Sequence, residues 1–315
     1  MKKGVKLGLL GLVAGGAAAT GVAAISNSIY QQVMIPAPRD PAREAHDHAT
    51  QQEGRRWARA GAGFRSAVIQ SVEGFALWAA HIPAETETHR WVICVHGFRE
   101  DHTSMGAFAL RYHQAGWNVL LPDQRGFGRS EGSYVGWGFD ERLDLIRWIS
   151  WVTRRDPQAE ILLHGVSMGA ATVLMATGGP LPKNVKAAVS DCSYTTIEAE
   201  MRHVAEHHPS GGRTLPFPSG VMFSTLRRIV LKKSGLDLKD VSPLDAVELS
   251  TTPTLFIHGS EDALVPPHML SRLYQAAACP KSFLWVPGAP HADSAYLSPD
   301  LYWSTVDTFV DTYFG

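Results

Sequence analysis

The stretch "ILLHGVSMGAATV", Ile161–Val173, decides how the chain folds. An apolar run reaches Gly165, a lone serine follows at 167, Gly169 closes the other side, and small residues come next. A short apolar run bounded by glycine reads as a buried strand, and the small residues after it read as a helix packed close to that strand. A sharp turn between the two brings backbones so near that a Cβ on either side of the serine would clash. Glycine at 165 and 169 removes the clash, and the turn can hold Ser167 up and out. The helix N-terminus behind it supplies free N–H groups and a positive dipole end, which suit an oxygen gaining negative charge. A plain tight turn also fits G-x-S-x-G, so the flanking strand and helix carry the meaning.

The same alternation runs outward in both directions. "SAVIQS" and "FALWAAHIP" read as a hairpin joined at Glu73-Gly74. "WVICVHG", "NVLLPD", "ILLHGVS", "VKAAVSD", "TLFIHGS" and "SFLWVPG" read as buried strands. Between them lie helical patterns, such as Leu145, Trp148, Ile149 and Val152 on one stripe. A final helix opens at Ser298-Pro299, with the serine as cap, and carries Tyr302, Val306, Phe309, Val310 and Tyr313 on one face. The expected architecture is α/β: a mostly parallel eight-stranded sheet with helices on both faces, over residues 64–315. One insertion, at about 195–248, breaks the rhythm and is too long for a simple crossover. Its two helices, Ile197 to His207 and Val221 to Lys232, read as a lid, with Phe217, Met222, Phe223 and Leu226 as packing or pocket residues.

Functional groups in such sheets gather at the carboxyl ends of the strands. A serine hydroxyl needs a base there, and the base needs an orienting carboxylate. Asp262 follows "TLFIHG" and His291 follows "SFLWVPG", so the chain order is Ser167, Asp262, His291. Asp191, also past a strand, competes for the acid's place, and Glu261 is a weaker rival. An oxyanion hole requires two converging N–H donors. Met168, directly after the serine, and Phe98, in the loop after "WVICV", are the candidates, and His96 reads as a structural loop residue.

The motifs "VHGFRED", "LLPDQRGFGRSEG", "GVSMGA", "HGSEDALVP" and "GAPHADS" together resemble the α/β-hydrolase superfamily. The likeness is to the branch near monoacylglycerol lipases and serine aminopeptidases, and to bacterial membrane-anchored or exported hydrolases. It covers about Ser66 to Phe314. It implies the same triad, Ser167, Asp262 and His291, and an oxyanion hole at Phe98 and Met168. It implies a structural role for "RGFGRSEG" and a retained N-terminal anchor. Ala170 stands where many members carry a further glycine, a mild departure.

Lys+Arg 29 against Asp+Glu 30 leaves a formal net charge of −1 and no basic stripe, which argues against nucleic acid as a partner. Three cysteines without a C-x-x-C pair leave at least one thiol free, argue against a disulfide framework and read as buried packing. The N-terminus opens with Lys2, Lys3 and Lys6, and the next charge is Arg39. Residues 1–30 therefore read as a membrane anchor, or as a signal peptide with small residues at Val22 and Ala24, leaving the rest outside the cytoplasm. Residues 31–63 read as a polar stalk, with His46-Asp47-His48 a solvated triplet rather than a metal site.

His203, Glu206 and His207 match H-x-x-E-H, a zinc-peptidase pattern, but the serine constellation accounts for hydrolysis without metal. A non-enzymatic binding module would show a damaged triad, and no member is missing. The expected function is cleavage of a carboxylic ester through an acyl-enzyme, needing no cofactor, on a small acyl ester or short peptide. Thioester or aminopeptidase-like amide cleavage is the alternative.

Overall fold

The computed structural model describes residues 20–60, 63–207 and 219–314. Each apolar run expected as a strand is one. Arg65–Gln70 (β1) and Ala76–Ile82 (β2) pair antiparallel around Gly74, whose φ of 90° is the left-handed conformation that glycine adopts without steric cost. β2 also pairs antiparallel with Asn118–Pro122 (β4). Beyond it the sheet is parallel, through Arg90–Val95 (β3), Glu160–Val166 (β5), Val185–Asp191 (β6), Thr254–Gly259 (β7) and Lys281–Val286 (β8). The strand order is β1-β2-β4-β3-β5-β6-β7-β8.

Burial on both faces explains why the central strands are apolar throughout rather than alternating. Val92 and Cys94 point to the side covered by Gly106–Gln114 (α3) and Pro299–Tyr313 (α11), where Phe108, Tyr112, Tyr302 and Val306 pack. Trp91, Ile93 and Val95 point the other way, onto Leu145, Trp148, Ile149 and Val152 of Glu141–Arg155 (α4). Met168–Thr177 (α5) is buried along its whole length, which accounts for its small residues. Pro243–Leu249 (α8) and His268–Ala276 (α9) cover the β7–β8 end, and Ser294–Leu297 (α10) precedes α11. Pro299 opens α11 as expected, but Ser298 makes no side-chain capping bond.

The lid helices are Ile197–His207 (α6) and Ser219–Ser234 (α7). Phe217, in the segment between them, lies outside the described residues. All three cysteines are free and buried. The "RGFGRSEG" loop is held from within. Asp123 accepts from the amides of His102 and Arg129, and buried Arg125 forks onto Asp144 at 2.7 and 2.8 Å.

The described part of the N-terminal region packs on the domain. Residues 20–33 form a helix (α1) with Val22, Ser26 and Tyr30 buried, and Tyr30 and the following Met34 join the cluster of Phe223, Leu226 and Val230 on α7. The described part of the segment expected as anchor or signal thus packs on the lid. Lys2, Lys3 and Lys6 lie outside the described residues. Among the described residues no helix is long and apolar enough to cross a membrane.

The described residues between 31 and 60, which read as a stalk, also pack on the domain. Ala49–Ala60 (α2) packs on α3, and a Cβ at Gly54 would overlap the Ala107 backbone. Buried Arg55 reaches Asp47 and Glu100, and Arg39 pairs with Glu44 and Glu100. His48 lies 3.5 Å from Asp293 and stacks on Tyr296. Several of the charges that suggested solvation, Arg39, Glu44, Asp47, Arg55 and Arg59, pair with one another or with the domain.

Candidate active site

The chain runs from β3 outward to β4 and returns on the other side as β5. At that reversal the loops leaving β3 and β5 diverge and open a crevice at the strand ends. Ser167 stands there with φ 57° and ψ −121°, a strained backbone conformation for a residue with a Cβ. A Cβ at Gly165 would overlap the Gly169 carbonyl, and one at Gly169 would overlap the Val95 carbonyl. The two glycines are therefore what allows strand, turn and helix to close around the serine. The loop after β3 lies directly against it, since a Cβ at Gly97 would sit 3.4 Å from Ser167 Cβ. Phe98 follows and stacks on Trp137 at 4.6 Å. Met168 is the first residue of α5, where an amide has no acceptor within its own helix.

His291 arrives from the loop after β8. Its Nε2 lies 2.9 Å from Ser167 Oγ and its Nδ1 lies 2.7 Å from Asp262 Oδ2. With the proton on Nδ1 donated to the carboxylate, Nε2 is free to accept from the serine hydroxyl. Asp262 is 3% exposed. Its Oδ1 accepts from the amides of Leu264 and Val265 at 3.0 and 2.8 Å, and its Oδ2 also lies 3.1 Å from His258 Nε2. Burial alone would raise this carboxyl, but donation from His258 and His291 outweighs it and holds the group well below the usual carboxylate range.

The rival acids are elsewhere engaged. Asp191 accepts from Tyr302 Oη at 3.0 Å and is pushed up to about 6 by burial, and Glu261 is exposed. His96 is a loop residue as expected, its Nδ1 donating to the Gly97 carbonyl and its Nε2 accepting from the Gln124 amide.

Ser167, Met168 and Phe98 open onto a cavity of about 470 Å³. Its walls come from three helices: Ile25, Ile29 and Val33 of α1, Met201 and Val204 of α6, and Phe223 and Leu226 of α7. Met222, named in the sequence reading with Phe223 and Leu226, lines it too.

The chain is 30% identical over 237 residues to the uncharacterized protein Rv2307c of Mycobacterium tuberculosis, covering 74% of each chain. Residues 86–217 match the model of the family described as serine aminopeptidase, S33. The chain belongs to the α/β-hydrolase superfamily. The hydrolase is also 28% identical over 247 residues to the uncharacterized protein YqkD of Bacillus subtilis, covering 78% of each. Among solved structures, the Pyrococcus furiosus esterase Pf2001 superposes with a TM-score of 0.67 at 19% identity, covering 90% of this chain and 99% of that one. The Pyrococcus horikoshii acylaminoacyl peptidase superposes with a TM-score of 0.59 at 16% identity, covering 79% of this chain and 41% of that one.

Several residues of the site escaped the sequence reading. His258 sits inside a strand-like run, and only its four-residue spacing from Asp262 hints at contact. Glu200 lies on the inner face of α6, and α1 falls largely within the stretch that reads as a membrane anchor or signal peptide. The hydrolase also brings together atoms of Cys192, Asp262 and His291 within 4.8 Å, a set that could in principle ligate a metal. The carboxylate and imidazole are already bonded to each other, and burial pushes the Cys192 thiol up, away from the thiolate a metal would need. In the H-x-x-E-H stretch, His203 Nε2 donates to the Ala263 carbonyl at 2.8 Å and the two imidazoles stack at 4.3 Å.

Proposed function

We propose that the hydrolase cleaves carboxylic esters through an acyl-enzyme. Ser167 Oγ attacks the carbonyl carbon as His291 Nε2 takes its proton, and Asp262 holds the imidazolium in place. The N–H groups of Phe98 and Met168 receive the tetrahedral oxyanion. As the intermediate collapses, His291 returns the proton to the departing alkoxide. Water then attacks the acyl-enzyme with His291 as base, releasing the acid and restoring Ser167. The observation that carries this reading is the hydrogen-bonded line from Ser167 through His291 to Asp262, at 2.9 and 2.7 Å, opening onto an apolar cavity. That lining favours an acyl chain over a peptide. The lysine-headed N-terminus supports an extracytoplasmic location, membrane-tethered or secreted.

The test is labelling with a fluorophosphonate beside hydrolysis of p-nitrophenyl esters of graded chain length, thioesters and aminoacyl anilides. Labelling is expected to vanish in Ser167→Ala, with kcat/KM on esters falling by about 10³-fold or more. Labelling that persists in Ser167→Ala, or anilides or thioesters cleaved faster than every ester, would overturn the reading.

A further inference from the structure

The cavity beside Ser167 is apolar except at a few points, and most of those are already engaged. The Tyr194 hydroxyl donates to the Trp137 carbonyl at 2.6 Å, and Arg202 is paired with Glu198 at 2.7 Å. Glu200 is different. It is 7% exposed, it lines the cavity, and its Oε2 has no hydrogen-bond partner. Trp137 Nε1, in the same lining, is likewise buried and unpaired. Buried polar atoms normally find partners, so an acid that lines the chamber and keeps an unpaired oxygen marks a place where a bound group can complete the bonding.

A structural role does not account for Glu200. An acid in the first turn of α6 favours the helix dipole, but Glu198 occupies the same turn at the surface and pairs there with Arg202. Its neighbours Ile197, Met201 and Val204 are apolar, as a wall built only for hydrocarbon would require at 200 as well. Burial, reinforced by the charge of Asp262, pushes the Glu200 carboxyl up to about 8. At neutral pH it therefore stands mainly as a carboxylic acid, with one O–H to donate and one oxygen to accept. A group that both donates and accepts complements it, and a hydroxyl does so. A cationic group fits less well, because Arg202 lines the same cavity and Glu200 is the sole acid among the described lining residues.

We propose that Glu200 determines specificity by hydrogen-bonding a hydroxyl group carried on the acyl chain, so that the preferred substrates are hydroxyacyl esters rather than esters of plain hydrocarbon acids. This rests on the ester reading of the same site.

The experiment compares ethyl octanoate with a series of ethyl hydroxyoctanoates in which the hydroxyl is moved along the chain, followed by pH-stat titration. The proteins are the full chain, Glu200→Gln and Glu200→Leu, each checked for fluorophosphonate labelling of Ser167. The wild type is expected to favour at least one hydroxylated ester over the plain one by about 10-fold or more in kcat/KM. Glu200→Gln keeps that order, since an amide also donates and accepts. Glu200→Leu loses or reverses it while labelling normally. A wild type that prefers the plain ester across the series overturns the assignment, and this holds even if a variant fails to fold. A preference that persists in Glu200→Leu also overturns it. Rapid cleavage of aminoacyl anilides that is lost in Glu200→Leu would assign the carboxyl to an amine instead. Labelled enzyme that cleaves no ester would instead bring down the ester reading, and the hydroxyl assignment with it.

Discussion

Asp262 accepts from two backbone amides and from His291, and His258 Nε2, bonded to the Val265 carbonyl, lies 3.1 Å from its Oδ2. Such a carboxylate stays ionised, and it fixes both the tautomer and the tilt of His291. Asp262→Asn is expected to lower kcat on p-nitrophenyl esters by about 10³–10⁴-fold with little change in KM, because the amide's NH₂ group cannot accept the Nδ1 proton. Steady-state kinetics check this directly. Dialysis against a chelator is expected to leave kcat/KM unchanged, since both candidate ligand sets have their imidazoles bonded within the protein. Ser167, Asp262 and His291 were legible in the sequence because each ends a strand signal and their order is informative. His258 and Glu200 were not, because a histidine inside a strand or an acid on a helix carries no pattern of its own. Only packing decides which way each one faces.

At the scale of elements, the strand–serine–helix turn could be read because glycine is the only residue its spacing tolerates. A Cβ at Gly169 would meet the Val95 carbonyl, so Gly169→Ala is expected to cost about 1–3 kcal/mol in urea unfolding and to depress hydrolase activity further still. The helices α1 and α2 were hidden for the opposite reason. α2 docks through Gly54, Arg55 and Ala58, which give no apolar stripe, and prolines and charges around it mimic a linker. α1 is apolar enough to pass for part of a leader, yet Ile25, Ile29 and Val33 form a wall of the cavity. Ile29→Trp is expected to reduce kcat/KM for octanoyl esters by about 10-fold relative to acetyl esters, read from the chain-length profile.

Across the whole molecule, buried carboxyls shape stability against pH. Burial raises Glu200 to about 8, Glu141 to about 7 and Asp191 to about 6. Each holds its proton in the native state above the pH at which the unfolded chain releases it. The native state then binds more protons, and stability falls as pH climbs from the ordinary carboxyl range through these raised values. Donation from Arg59 holds Glu44 near 2, so its contribution runs the other way and is lost only in strong acid. Buried His81 and His164, held neutral by burial, oppose this trend below about pH 7, so the carboxyl term is read above it: urea midpoints measured between about pH 7 and about pH 9 should decline in the wild type and less steeply in Glu200→Gln.

One helix ties this chamber to whatever happens upstream of it. The described part of α1 includes Val22 and Ala24, small residues that suit a processing enzyme, and Ile25 lines the chamber. A cut after Ala24 would make Ile25 the first residue of the mature polypeptide and set a new charged terminus into a greasy wall. Any event that shifted α1 would reshape the chamber while leaving Ser167, His291 and Asp262 where they stand.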